Sequence, residues 1–345
     1  MGHGTGEGPI DLARQGGKRR SDGAGVSDLE HLPAHTRIAW IGTGTMGKRL
    51  STRAMQAGFP VTAFDTDPAH LAEIVACGAL PAYSVAEAIR NVSVIVSSVP
   101  GDEALRAISI GEQGLLSNAR QGALFIDTST VSPHASAEVA RAAESWNVRY
   151  LRIAMSGTVM HAEEGTLMQM VSGDPSAYAW AKPLLDVFGE KQFFVGHAEE
   201  ARYAKLVVNL LIAITACGLG EALALGRRGG LDWSQMLDVI AASPAASPML
   251  HYKMPLLRTR QFEPQMTTGL LSNDIGLILA AAKQNGVPVS LCAIAQQMFE
   301  ARIAHGGGPE DYISIVKLFE WQAGINDEPA LGERPAVPDS VAGKT

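Results

Sequence analysis

The sequence predicts an α/β protein: a doubly wound sheet followed by an all-α C-terminal domain, the two joined by a long central helix. Three observations predict it. Short apolar runs alternate with helical patterns from Arg37 to Leu151, as strand–helix units on a parallel sheet do. Beyond Gly229-Gly230 no strand pattern recurs, and the runs have helical spacing. Between the two lies Ala201 to Arg228, a helix-forming stretch in which fifteen uncharged residues separate Lys205 from Glu221. A helix apolar all round is expected to be buried all round. Fifteen residues fall short of the roughly 20 that cross a bilayer, so the stretch reads as a core helix and no membrane partner is expected.

Length and composition set the outer bounds. A chain of 345 residues has room for two domains, each with its own core. With 46% hydrophobic and 18% charged residues it is an ordinary globular composition, and a net charge of −7 argues against a nucleic-acid partner. Cys77, Cys217 and Cys292 are odd in number, far apart and set among apolar residues, which fits buried thiols in a reducing cytoplasm rather than a disulfide frame. Residues 1–35 are glycine-rich and polar and read as a disordered tail, its Lys18-Arg19-Arg20 cluster solvated. Residues 326–345 read as a second one.

The first domain is expected over 36–199. Arg37 to Ile41 is a short apolar strand, and Gly42-Thr-Gly-Thr-Met-Gly47 follows it at once. A helical run then reaches Ala57, Gly58-Phe-Pro60 breaks it, and Val61 to Asp65 reads as the next strand. Strand, G-x-G-x-x-G, helix and strand within about thirty residues form the Rossmann-type dinucleotide fingerprint. Gly42 allows the tight turn, Gly44 lets the backbone approach a pyrophosphate, and Gly47 lets the helix pack close. The first-turn residues Thr45 and Met46 bring free N–H groups to the phosphates. Asp65, at the strand end, suits the ribose hydroxyls of NAD and would repel the 2′-phosphate of NADP. Ser84 to Arg90 is a short helix opened by a Ser84/Glu87 capping box. Val92 to Val99 and Ala123 to Asp127 are buried strands, Ala135 to Ser145 a helix, and Val148 to Leu151 another strand. Ligands bind beyond the carboxyl ends of such strands, which nominates Val99-Pro100, Thr128-Ser-Thr130 and Ser156-Gly157.

The second domain is expected over 200–325, with helices at Trp233 to Ala242, Thr268 to Asn285, Pro288 to His305 and Glu310 to Trp321. Met236, Met249, Met254 and Met298 read as core packing. Lys205 and Asn209 share one face of the central helix, one turn apart. A lysine there loses hydration unless it is paired or used. Glu199 or Glu200 could pair with it; a bound substrate could use it.

Four motifs then stand in order: Gly42-Thr-Gly-Thr-Met-Gly47, Asp127-Thr-Ser-Thr-Val-Ser-Pro133, Ser156-Gly157 with Gly165-Thr-Leu167, and Lys205-Leu-Val-Val-Asn209. With them the chain resembles the β-hydroxyacid dehydrogenases, a family that includes 3-hydroxyisobutyrate and 6-phosphogluconate dehydrogenases. The likeness runs from about Arg37 to Gln322. It implies an NAD-dependent oxidoreductase acting on a small carboxylate such as a β-hydroxyacid, with Lys205 as general acid/base. It also implies that Ser156 and Gly157 hold the substrate carboxylate, with Thr158 beside them, and that Asn209 contacts the substrate. Thr130 would lie near both substrate and cofactor, and Val99-Pro100 on the cofactor. Family members are usually dimers or tetramers built through the helical domain, which suits a helix too apolar for one chain to cover. No metal is needed, and the repeated His-Ala-Glu-Glu at 161–164 and 197–200 is not read as a metal site.

The departures from the family pattern cluster at the substrate. Arg152-Ile-Ala-Met155 replaces Asp-Ala-Pro-Val, Thr158 replaces a glycine, His161 stands where a small glycine is common, and Glu199 and Ala201 replace glycines before the lysine. Asn273-Asp274 replaces a Lys-Asp pair. They keep two other readings open: an imine or unusual-carbonyl reductase, and a catalytically silent NAD-binding interaction module. The presence of Lys205 counts against both, and Asp65 against the first.

Overall fold

A computed structural model describes residues 31–111 and 113–326. The first unit runs β1 (Ile38–Ile41), α1 (Thr45–Gln56), β2 (Val61–Phe64), α2 (Pro68–Ala76), β3 (Leu80–Pro81), α3 (Val85–Ala88), β4 (Val94–Ser97) and α4 (Gly101–Ser109). It continues through α5 (Leu115–Asn118), β5 (Leu124–Asp127), α6 (Pro133–Ser145), β6 (Arg149–Ser156), α7 (Val159–Glu164), β7 (Met168–Gly173), α8 (Pro175–Leu185) and β8 (Gln192–Gly196). The central helix is α9 (Glu200–Arg228). After it come α10 (Trp233–Ala242), α11 (Pro248–Thr259), α12 (Thr268–Gln284), α13 (Ser290–Arg302) and α14 (Val316–Gln322).

The strands form one sheet in the order β3-β2-β1-β4-β5-β6-β7-β8, parallel throughout except where β6 meets β7 antiparallel. The central strands β1, β4 and β5 are buried at every residue, so they read as continuous apolar runs rather than alternations. Chain order reverses between β1 and β4, and the crevice at their carboxyl ends is where such sheets take ligands. Helices start on side-chain caps: Asp67 before α2, Ser132 before α6, Asp174 before α8 and Ser247 before α11, each followed by proline. Ser84 caps α3 through the Glu87 N–H as expected, while Glu87 reaches back to the Tyr83 N–H, one residue further out.

Several expectations change. Residues 1–30 and 327–345, with the basic cluster Lys18–Arg20, lie outside the described residues. Residues 31–35 are not loose: Leu32 is buried, and its N–H donates to the Trp180 carbonyl of α8 at 2.8 Å. An apolar side chain with a sheet-covering helix to rest on orders that much of the tail. Cys77 is exposed at the end of α2, not buried; Cys217 is half-buried and Cys292 buried, and all three are free thiols. The strand at Val148–Leu151 begins at Arg149 and extends to Ser156, because β7 pairs with its second half. The last two helices are shorter than their patterns: a π turn over Ile303–Gly307 closes α13, and a 3-10 turn over Tyr312–Ile315 opens α14.

The largest correction concerns α9. Ten of its residues are buried, against β6, β7, α12, α13 and α14, but Val207, Leu211 and Leu225 are 58–76% exposed on one side. One chain does not cover this helix. At 29 residues, with a hydropathy of 2.0, it is also long and apolar enough to cross a membrane by those two measures. Its place between the sheet and the other helices is that of a core helix.

Candidate active site

The glycine loop sits between the carboxyl ends of β1 and β4. Gly42 has φ of +88°, and a Cβ there would lie 2.4 Å from the Ser98 carbonyl oxygen. A Cβ on Gly47 would lie 2.1 Å from the Gly42 carbonyl oxygen, so α1 approaches the loop as closely as backbone permits. At Gly44, the residue preceding α1, the nearest atom to a Cβ is 3.9 Å away, and no side chain caps the helix. The first-turn N–H groups of Thr45, Met46 and Gly47 are therefore available to an anion. This cradle fits a dinucleotide pyrophosphate.

The residues nominated around it gather on the same edge. Asp65 follows β2; its Oδ2 accepts from the Thr43 N–H at 2.6 Å and hydroxyl at 3.1 Å, and its Oδ1 from the Asp67 N–H at 2.8 Å. His70 Nδ1 stands 3.7 Å from the same carboxylate. On the β4 side, the Val99 N–H donates to Ser129 Oγ at 2.9 Å, tying the Val99-Pro100 loop to the segment after β5. Thr130 is half-buried on that segment.

Lys205 comes to the site on the second turn of α9. Ala201, Ala204 and Val208 pack on Ala154, Met168 and Met170 of β6 and β7, which sets the helix start against the end of β6. Lys205 Nζ then donates to the Met155 carbonyl at 2.9 Å, and neither Glu199 nor Glu200 pairs with it. Burial pulls its pKa below the ordinary lysine value, against the attraction of Asp274. Asp274 is pushed up to about 6 by burial; Lys205 and a 2.6 Å bond from Asn209 Nδ2 work the other way. Low dielectric thus favours the uncharged form of both groups. Asn273, at the position of the missing lysine, is exposed.

Lys205, Asn209, Ser156, Gly157 and Thr158 line one cavity of about 1040 Å³, together with His161. Thr130 does not line it. Gly157 has φ of +146°, and a Cβ there would meet Leu167 Cδ2 at 2.6 Å, so this turn needs glycine. Thr158 and His161 form a capping box on α7: His161 Nδ1 accepts from the Thr158 N–H at 3.0 Å and lies 2.8 Å from its hydroxyl. The two departures are thus one local device that stiffens the turn after Ser156-Gly157. Among the described residues no group of three or more potential metal ligands is assembled.

Two ion pairs at the start of α9 were not foreseen. Arg202, one turn before Lys205, donates Nη2 to Asp127 Oδ2, Nη1 to the Ser129 carbonyl at 2.7 Å and Nε to Ser136 Oγ at 3.2 Å. Asp127 Oδ1 also accepts from the Ser97 hydroxyl at 2.7 Å and the Ser129 N–H at 3.0 Å. The second pair joins two departures from the family pattern: Arg152 donates twice to Glu199 Oε1, at 2.5 and 3.0 Å. A charge at 152 thus accompanies the opposite charge at 199. The signal for Arg202 was present, since it is a second charge at the start of the same apolar helix.

Comparison with known proteins agrees with this architecture. Residues 37–196 match the NAD binding domain of 6-phosphogluconate dehydrogenase, and residues 200–319 match the NAD-binding domain of NADP-dependent 3-hydroxyisobutyrate dehydrogenase. The chain is 31% identical to 2-(hydroxymethyl)glutarate dehydrogenase of Eubacterium barkeri, over 84% of this chain and 97% of that one. It is also 31% identical to 3-hydroxyisobutyrate dehydrogenase of Pseudomonas aeruginosa, over 82% and 98%. A solved structure of Mycobacterium tuberculosis 3-hydroxyisobutyrate dehydrogenase with L-serine superimposes with a TM-score of 0.76 at 28% identity, covering 82% of this chain and 98% of that one. Imine reductases share the fold at 19% identity. With both domains matched, and with relatives that are dehydrogenases acting on CH–OH groups of small carboxylates, the chain belongs to the β-hydroxyacid dehydrogenase family of NAD(P)-dependent oxidoreductases.

Proposed function

We propose that this chain is an NAD-dependent dehydrogenase of a β-hydroxyacid, with Lys205 as general acid/base. The observation that carries the reading is the shared cavity: Lys205 Nζ hangs from the Met155 carbonyl beside Ser156, Gly157 and Asn209. The glycine cradle and the first turn of α1 hold the cofactor, which supplies the hydride acceptor when bound. The Gly157 turn and the Ser156 hydroxyl hold the substrate carboxylate. Asn209, fixed by Asp274, bonds the substrate hydroxyl and orients it. Lys205 takes the hydroxyl proton as the alcohol carbon is oxidised and returns it to the carbonyl in reduction. Burial lowers its pKa, so the neutral amine is more accessible than that of an ordinary surface lysine.

NAD is preferred in this reading because the Asp65 carboxylate stands where a 2′-phosphate would approach, with Thr66 rather than an arginine beside it. The test is a panel of 3-hydroxyisobutyrate, L-serine, L-threonate and 2-(hydroxymethyl)glutarate, followed by reduced-cofactor absorbance with NAD and NADP. Turnover of one or more with an NAD preference is expected; no turnover of any would remove the reading. Asp65→Ala should shift the NADP/NAD ratio of kcat/KM toward NADP by about tenfold, the scale of one charge repulsion. An unchanged ratio would defeat the NAD assignment.

The reading includes a homodimer or homotetramer built through the helical domain and a cytoplasmic location, the latter in keeping with three free thiols. The exposed stripe of α9 continues onto Leu291 and Ile294 of α13, which line the same groove as Leu225. Light scattering should give a dimer or tetramer for the wild type. Leu211→Glu/Leu225→Glu should give monomers, and a wild-type monomer would refute the assembly.

A further inference from the structure

The helical domain contributes its own wall to the cavity that holds Lys205. Lys253 enters this wall from α11 with its side chain fully buried. Its ammonium donates to Asp311 Oδ2 at 2.7 Å and to Gln265 Oε1 at 3.0 Å, and lies 4.5 Å from the centroid of the Tyr312 ring. Asp311 is occupied in turn. Its oxygens accept the N–H groups of Gln265 at 2.9 Å, Met266 at 3.4 Å and Ile313 at 3.1 Å, besides Lys253.

This arrangement decides which way the Gln265 amide points. An ammonium has only donors, so the amide oxygen must face Lys253 and the NH₂ must face away from it. Gln265 is half-buried and lines the cavity, and among the described residues its Nε2 has no hydrogen-bond partner. Tyr252 stands in the same wall. Its hydroxyl is 2.9 Å from that of Tyr312, a buried residue. When Tyr312 donates to Tyr252, the Tyr252 proton is left for the cavity. Around these donors the wall is hydrocarbon, from Ile212, Pro248 and Met266. This helical-domain wall offers N–H and O–H groups and no carboxylate; Glu164, Asp186 and Glu190 line the cavity from the sheet domain, with Arg53 and Lys191 among them.

A substrate whose far end is a methyl group would leave the Gln265 NH₂ unpaired where it excludes water, which is unfavourable. A far-end carboxylate would accept from it. We propose that Gln265 Nε2 and Tyr252 Oη form a second anchoring subsite, and that the substrate is a β-hydroxyacid carrying a second carboxylate at its far end. The proposal rests on the reading of Ser156-Gly157 as the seat of the first carboxylate. Gln265 then acts as a specificity residue, and Lys253 as the positioning residue that fixes its amide.

The test separates this subsite from that reading by using binding rather than turnover. Glutarate and pentanoate, equal in length and differing in the far-end carboxylate, are titrated calorimetrically into the full-length protein saturated with NADH. Glutarate should bind at least about tenfold more tightly, the ratio expected for one well-made hydrogen bond to a charged group. Gln265→Glu, which keeps an acceptor for Lys253 but presents a carboxylate to the cavity, should abolish that advantage and leave pentanoate affinity within about twofold. Pentanoate binding with no advantage for glutarate in the wild type overturns the subsite alone. Equal loss of both ligands in Gln265→Glu makes Gln265 a scaffold residue and overturns it too. Binding of neither ligand by the wild type overturns the first carboxylate seat together with the second.

Discussion

Replacing Lys205 with alanine is expected to lower turnover by about 10²- to 10⁴-fold, the range for loss of a positioned acid/base group, while NADH binding stays intact. The separation follows from the architecture. The glycine cradle, Asp65 and the Val99-Pro100 loop belong to the sheet, whereas Lys205 reaches the site from α9 and donates to the Met155 carbonyl. Fluorescence titration with NADH would measure the first property and steady-state kinetics the second. Turnover retained within a few-fold would refute the role. The pH dependence carries a sign as well. Oxidation needs the neutral amine, so kcat/KM for the alcohol should rise with pH through the Lys205 pKa. Reduction needs the ammonium and should fall through the same pKa. Because burial lowers that pKa, the limb should lie below the ordinary lysine value of about 10.4, and Lys205→Ala should erase it.

The place of Lys205 in the cavity was legible because a charge entering an apolar helix is a local anomaly, and the glycine loop because its spacing is local too. The strands β1, β4 and β5 were legible because strands buried on both faces are written as unbroken apolar runs. β7 was not, since Gln169 and Ser172 interrupt it although both are fully buried. Their partners are backbone carbonyls of Leu185, Gly189 and Ala198, distant enough that no local pattern announces them. β8 was missed for a different reason: as an edge strand it alternates between half-buried and exposed residues. The ion pairs join positions 75 and 47 residues apart, a distance at which spacing carries no information about pairing. Gln265 was silent as well, because its importance comes from Lys253 taking one end of its amide.

Arg202→Met should produce the largest loss of stability, about 3–5 kcal/mol, the cost of stranding one member of a buried pair. Arg202 and Asp127 are at most 1% exposed, so water cannot replace the missing guanidinium. Asp127 would keep the Ser97 hydroxyl and Ser129 N–H on Oδ1, while Oδ2 would retain only the Tyr150 hydroxyl, 3.3 Å away. The Ser129 carbonyl would lose its donor, and Ser129 also holds the Val99 loop. The damage should therefore reach the cofactor side, seen as a weaker NADH Kd alongside a lower urea midpoint. Arg202→Lys should recover little, because a point charge cannot bridge Asp127, the Ser129 carbonyl and Ser136 as the planar fork does. Arg202→Met/Asp127→Asn removes both charges and should be more stable than Arg202→Met alone, since no uncompensated carboxylate remains. If Arg202→Met instead unfolds within about 0.5 kcal/mol of the wild type, the range of an ordinary surface substitution, the pair does not hold α9 to the sheet. The seat of Lys205 would then depend on the apolar packing of Ala201, Ala204 and Val208 against β6 and β7.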